Sequence, residues 1–320
     1  MKITDKYAPN LIISIILVFS LIGFTVTAIL NFYVTNEKAY ISNSDDNNIP
    51  AIVTEEIEKY FDNSTNYSKI PADVYMSAIS EDDVKQVIDG KIINLFSHYK
   101  KNGGADTEDQ EYKHSDFDYS KLEESIKGYF DKFANENNIK KDDEYTAQME
   151  HTIQAAKDEM ENYADVYMLS LIDNTGILKR AFSYYNDLAP AMYVCGGLAL
   201  LCMLLLIAIS LTRTSLASYW MAVSFICASV IMLVPTLMIK LSKFEEKLIV
   251  RNNSIYTAVT NFISKVVNGM IILETAVIVL GVLLLILYFT KKKKALKKKL
   301  REKKYLEDLK REAAMEEPAK

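Results

Sequence analysis

The chain has 320 residues, a formal net charge of −5, and hydrophobic residues at half its positions. With 3 cysteines, 10 glycines and 6 prolines it is neither a disulfide scaffold nor a collagenous or Pro/Gly-rich low-complexity chain. Nearly all of its 37 basic and 42 acidic residues lie outside four apolar stretches, which excludes a soluble protein.

Residues 1–10 carry Lys2 and Lys6 ahead of the first apolar stretch, residues 11–33. A hydrocarbon core of about 30 Å needs roughly 20 mostly apolar residues as helix, and Leu11 to Phe32 contains no charge. Val26-Thr27-Ala28 is a tolerable signal-cleavage pattern. A signal core is usually about 7–15 residues, however, and apolar residues continue past Ala28 as Ile29, Leu30 and Phe32. An uncleaved anchor is expected.

Residues 34–188 read as a helical domain of their own. Pro50 opens a stripe of Ile52, Val53, Ile57, Tyr60 and Phe61, and Pro71 suits the first turn of a short helix from Ala72 to Ala78. Ser80 with Asp83 is a capping-box variant, followed by Val84, Val87, Ile88, Ile92, Leu95, Phe96 and Tyr99, with Gly103-Gly104 as the stop. After a polar, acidic loop, Ser120 with Glu123 predicts a second capping box ahead of Leu122, Ile126, Tyr129, Phe130 and Phe133. A longer helix is expected from Asp142, with Tyr145, Met149, Ile153, Ala156, Met160, Tyr163 and Tyr167 spaced by three or four. Asn174-Thr175-Gly176 marks a break. The aromatic residues of these stripes are read as packing.

Residues 189–211 form the second span, with Pro190 at its start; 212–215 are a tight turn; 216–239 form the third span, with Pro235 near its end. Residues 240–268 keep a helical pattern (Phe244, Leu248, Ile255, Val259, Phe262, Val266) with basic residues Lys243, Lys247, Arg251 and Lys265. Docking of that basic segment on the acidic 34–188 domain is preferred to lipid binding. Residues 269–290 form the fourth span, and 291–320 a basic tail.

Charge assigns the sides. Segment 34–188 holds 16 basic and 32 acidic residues; the tail holds 13 basic and 6 acidic. Basic residues near span ends favour the cytoplasm, so both termini are expected inside and 34–188 outside, in the cell membrane. The expected fold is all-α: four transmembrane helices plus a helical extracytoplasmic bundle. Lys291, Lys292, Lys293, Lys294, Lys297, Lys298 and Lys299 are expected to meet anionic lipid headgroups.

Chemistry-bearing motifs are sparse. His98, His114 and His151 have no metal-ligand spacing. Cys195, Cys202 and Cys227 lie inside spans, where they behave as small hydrophobes. No nucleophile elbow, phosphate loop, zinc-protease helix or dinucleotide fingerprint occurs, so no enzyme, no cofactor and no nucleic-acid partner is expected. Glu274 is the one charge in the fourth span, and an ionisable group there is a functional candidate. Its simplest partner is Lys240, at the end of the third span.

Asn31-Phe32-Tyr33 after the first span, Ile70-Pro71-Ala72-Asp73 and Ser80-Glu81-Asp82-Asp83-Val84, within this layout, resemble uncharacterised four-span membrane proteins of bacteria with a helical extracytoplasmic domain between spans one and two. That resemblance implies no activity. The leading expectation is a non-enzymatic membrane protein whose extracytoplasmic domain binds a protein partner or ligand, in a sensor, adaptor or envelope-assembly role. The alternative is a small transporter or channel component using Glu274.

Overall fold

Lipid offers a backbone amide no partner but its own chain, so a spanning segment must be helix or closed barrel. All regular structure among the described residues is helix, without a strand. The computed structural model describes residues 7–102, 118–176, 180, 182–210, 214–250 and 252–316. Lys2 and Lys6, the Gly103-Gly104 stop, the acidic run 106–111, His114, residues 177–179, Thr212-Arg213 and Arg251 lie outside the described residues.

The helices in chain order are α1 (Tyr7–Ile29, continued by a π-turn Leu30–Val34), α2 (Glu37–Asp46), α3 (Ile49–Ser68), α4 (Ala72–Met76) and α5 (Glu81–Asn102). They are followed by α6 (Ser120–Glu136), α7 (Asp143–Ala164), α8 (Leu169–Asn174), α9 (Tyr185–Ile209), α10 (Thr214–Leu241) and α11 (Asn253–Glu316). Four of these segments, within Tyr7–Val34, Tyr185–Ile209, Leu216–Leu241 and Asn253–Asp308, are long and apolar enough to cross a membrane. The chain is therefore a multi-pass membrane protein.

Two compact units divide the chain. The membrane unit holds the described parts of Met1–Thr27, Pro190–Ile239 and Gly269–Lys320. The helical unit holds those of Ala28–Ala189 and Lys240–Asn268.

In the membrane unit, Leu17, Ala199, Cys202, Leu206, Ala217, Trp220 and Met221 pack together, while large apolar side chains such as Phe19, Leu204, Met238 and Ile272 face outward. That is the reverse of a water-facing helix. Several hydroxyls are satisfied within their own helix: Ser20 Oγ donates to the Ile16 carbonyl (2.8 Å) and Thr27 Oγ1 to that of Gly23 (2.7 Å). Ser224 Oγ reaches the Ser14 carbonyl of α1 (3.1 Å), tying α10 to α1. Glycine sets the closest approach. A Cβ on Gly281 would lie 2.8 Å from Ile226 Cγ1 and 3.3 Å from the Ala222 carbonyl oxygen, whereas one on Gly197 would meet nothing within 4 Å.

The helical unit is built on α3 and α5. α3 packs against α2, α4, α5 and α7; α6 packs against α4 and α7; α2 packs against α3 and α5. Its core includes Ile57, Ile88, Ile92, Leu95, Phe96, Leu122, Ile126 and Met160, from the apolar stripes expected from spacing, together with Ile49 and Phe182, which belonged to none of them. The first capping box forms: Ser80 N donates to Asp83 Oδ2 (2.9 Å) and Asp83 N to Ser80 Oγ (3.2 Å). Asp142 caps α7 by accepting from Tyr145 N (3.1 Å). The second box does not form. Ser120 is already inside α6 and bonds to Asp118, two residues back, while Glu123 turns to Lys157 (2.6 Å) and Lys127 (3.2 Å). Two nearby ammonium groups outcompete one backbone amide for that carboxylate.

α2 was not foreseen as a helix, because the face it buries is Tyr40, Asn43 and Ser44 rather than an apolar stripe. It receives residues 253–268, the first turns of α11. Asn43 Nδ2 donates to the Tyr167 hydroxyl (2.9 Å) and to the Ala258 carbonyl (3.0 Å), and Tyr167 donates on to the Tyr40 carbonyl (2.8 Å). Asn261 Nδ2 reaches Asn47 Oδ1 (2.7 Å), and Phe262 stacks on Tyr40 with centroids 4.1 Å apart. Glu56 of α3 accepts from Asn253 N (2.6 Å) and engages Ser254, placing a carboxylate on the positive end of α11. Lys265 contributes the ion pair expected of a basic segment, to Asp46 Oδ2 at 3.0 Å, and with Ser42 holds that carboxyl below its ordinary range. Docking is thus carried mainly by amides, aromatic stacking and one capping carboxylate.

Two expectations follow. Asn43→Ala leaves the Tyr167 hydroxyl and the Ala258 carbonyl without their amide partner, and is expected to cost about 2–3 kcal/mol. The loss should appear as faster amide exchange across residues 253–268 of the full-length protein in nanodiscs. Gly281→Leu is expected to destabilise the membrane unit by about 1–3 kcal/mol through overpacking, and Gly197→Leu to leave it unchanged, as read by thermal unfolding in detergent. Equal effects of the two would contradict the packing described.

Candidate functional site

α6 is a strongly two-faced helix, but its apolar stripe is not covered along its whole length. Leu122, Ile126 and Ala134 are buried, Tyr129 and Phe130 are half-buried, and Phe133 is 44% exposed. The uncovered stretch opens a groove of about 650 Å³ between the end of α3, α6, the α6–α7 turn and the first turns of α7. Tyr129, Phe130, Phe133 and Tyr145 form its aromatic wall: Tyr129 stacks on Phe133 (6.2 Å) and Phe130 meets Tyr145 edge-on (5.9 Å).

Local chemistry fixes that wall. The Tyr129 hydroxyl donates to the Lys69 carbonyl (2.8 Å), and Lys69 ends α3 in the left-handed region at φ 61°, where its amide closes on Thr65 (3.0 Å). Burial, with the Asp131 carboxylate beside it, pushes the Tyr145 hydroxyl above its ordinary value; Lys141 holds that carboxylate in turn. Both signs of charge border the aromatic wall, from Lys69, Lys140, Asp142 and Glu144. The arrangement suits a flat or extended apolar body with polar ends. Reading these aromatics from the sequence as packing holds for Tyr129 and Phe130, which lie against the core, but misses the uncovered end at Phe133. Spacing shows a stripe, and only the tertiary fold shows where its cover stops.

Glu274 lies in the membrane unit and is 2% exposed. It borders a separate cavity of about 120 Å³ lined from α1, α10 and α11. The hydroxyls of Thr25 and Ser229 turn towards its carboxyl; Glu274 Oε1 and Ser229 Oγ still lack a hydrogen bond of ordinary geometry. Lys240, its expected partner, is engaged separately: its ammonium donates to Asn268 Oδ1 (2.8 Å). Thr25 and Ser229 carry no sequence signal beyond being hydroxyls within spans.

The tail lysines continue along α11. Lys291, Lys292, Lys293, Lys294, Lys297, Lys298 and Lys299 are all exposed, with Lys292 over the Tyr288 ring at 5.5 Å and Lys298 3.9 Å from Glu302. His98 and His151 lie on α5 and α7, and among the described residues no group of three or more His, Cys, Asp or Glu side chains is placed to hold a metal. Cys195, Cys202 and Cys227 are free thiols. No protein-family model matches the chain, and the comparisons with curated proteins and solved structures found no match.

Proposed function

We propose that the chain is a non-enzymatic membrane protein whose helical unit binds a ligand or protein partner through the aromatic groove between α6 and α7. The carrying observation is the 650 Å³ opening over Phe133. A stripe with apolar spacing is ordinarily covered, and a contiguous uncovered apolar surface marks a contact site. The charge split between segments 34–188 and 291–320 supports placing that unit outside the cell membrane with both termini inside, and the exposed lysines of α11 then meet anionic headgroups. The wall favours an amphipathic occupant, as a sensor, adaptor or envelope-assembly factor would bind. The layout resemblance to bacterial four-span proteins is compatible with this role and adds no activity to it.

A photo-crosslinking residue at Phe133 of the full-length protein in its native cells is expected to trap a defined adduct, and the same residue at exposed Leu171 on α8 to trap none. Tyr145→Ala in the Phe133 background should reduce the adduct about tenfold, the loss of roughly 1–2 kcal/mol expected for one aromatic anchor. No adduct, or equal adducts at both positions, would remove the groove as the site.

A second reading is favoured by the cavity at Glu274: a transporter or channel component using that carboxyl. It predicts that Glu274→Gln changes ion flux into proteoliposomes; unchanged flux would sink it.

A further inference from the structure

An ionised carboxylate taken out of water without a counter-charge is unfavourable by many kcal/mol, so its surroundings decide what neutralises it. The cavity at Glu274 is lined by Leu21 and Thr25 of α1, Ser229 and Met232 of α10, and Leu273 of α11 itself, among others. No lining side chain from any of the three helices carries a charge or titrates except Glu274, and α9 contributes none. Lys240, the partner expected from the sequence, is bonded to Asn268. Two polar atoms face the space without a partner, Glu274 Oε1 and Ser229 Oγ, and both residues are 2% exposed or less. The volume of about 120 Å³ has room for water.

We propose that Glu274 is a proton-binding site inside the membrane unit, with Ser229 and Thr25 as its hydrogen-bond partners. In the step, one proton adds to one carboxylate oxygen, giving a neutral carboxylic acid whose O–H donates to a facing hydroxyl. On release, the carboxylate accepts from both hydroxyls instead. A proton fits better than a metal cation. Hard cations gather about six or more oxygen ligands, whereas the side chains here supply two carboxylate oxygens and two hydroxyls against walls of hydrocarbon and a thioether. The site is independent of the aromatic groove, and it sharpens the second functional reading by naming its ion.

Carbodiimides add only to protonated carboxylic acids, so dicyclohexylcarbodiimide reports the proton directly. The full-length protein in proteoliposomes is treated between about pH 5 and 9 in potassium buffer, then with sodium replacing potassium, and the α11 peptide is read by mass spectrometry. The expected result is an adduct on Glu274 that falls about tenfold per pH unit above its midpoint and is the same in sodium and potassium. Ser229→Ala should move that midpoint by roughly half a pH unit or more. Glu274→Gln should lose the adduct while eluting as wild type on gel filtration. No adduct at any pH overturns the proposal, as does suppression by sodium at fixed pH, which marks a metal-cation site. An unmoved midpoint in Ser229→Ala overturns the hydroxyl partnership. None of these outcomes bears on crosslinking at Phe133, so the two sites fail or stand separately.

Discussion

The start of α11 depends on a carboxylate supplied from far away in sequence. A helix N-terminus presents several amides with no intrahelical acceptor, and at Asn253 and Ser254 these are met by Glu56 of α3. Asn43 then fixes the second turn through the Ala258 carbonyl, and Phe262 stacks on Tyr40 in the third. From that start the hydrogen-bonded ladder continues without interruption to Glu316, over 64 residues. Residues 253–268 of this one helix belong to the helical unit, and its residues from Gly269 onward to the membrane unit.

The membrane unit follows different rules from the helical unit. Water-facing helices hide apolar stripes; here many large apolar residues face out, and the interior combines a few large ones such as Leu17, Leu206 and Trp220 with small or hydroxylated ones, Ala199, Ala217, Ala222, Ser224 and Ser229 among them. Small residues let backbones approach, which is where association of helices in lipid gains its contacts. The same close packing leaves few polar partners for a carboxyl, so Glu274 is surrounded by hydroxyls and hydrocarbon.

Legibility in the sequence followed the range of each interaction. The spans were readable because lipid demands about 20 apolar residues in a row. The cap at Ser80 was readable because the side chain and its amide are three residues apart. The box at Ser120 misled because Asp118 intercepts the serine, a competition the motif does not encode. α2 escaped notice because its buried face is polar, and its partners Tyr167 and Ala258 lie 124 and 215 residues from Asn43. Glu274 stood out as a lone charge in a span, yet its surroundings come from three helices. The groove over Phe133 was invisible for the same reason: it is defined by cover that is missing, which no periodicity records.

The capping of α11 by Glu56 also sets an order in time. The core of the helical unit runs from Tyr40 to Phe182, and its sole fully buried apolar contribution from later in the chain, among the described residues, is Ala258. Ribosomes add about 5–20 residues per second, so the stretch from Phe182 to Ala258 takes on the order of 4–15 s to make. For that interval Asn43, Glu56 and Tyr40 present an open seat. The segment that closes it is continuous with the fourth span, so completing the unit waits until translation has passed the third span and reached residues 253–268.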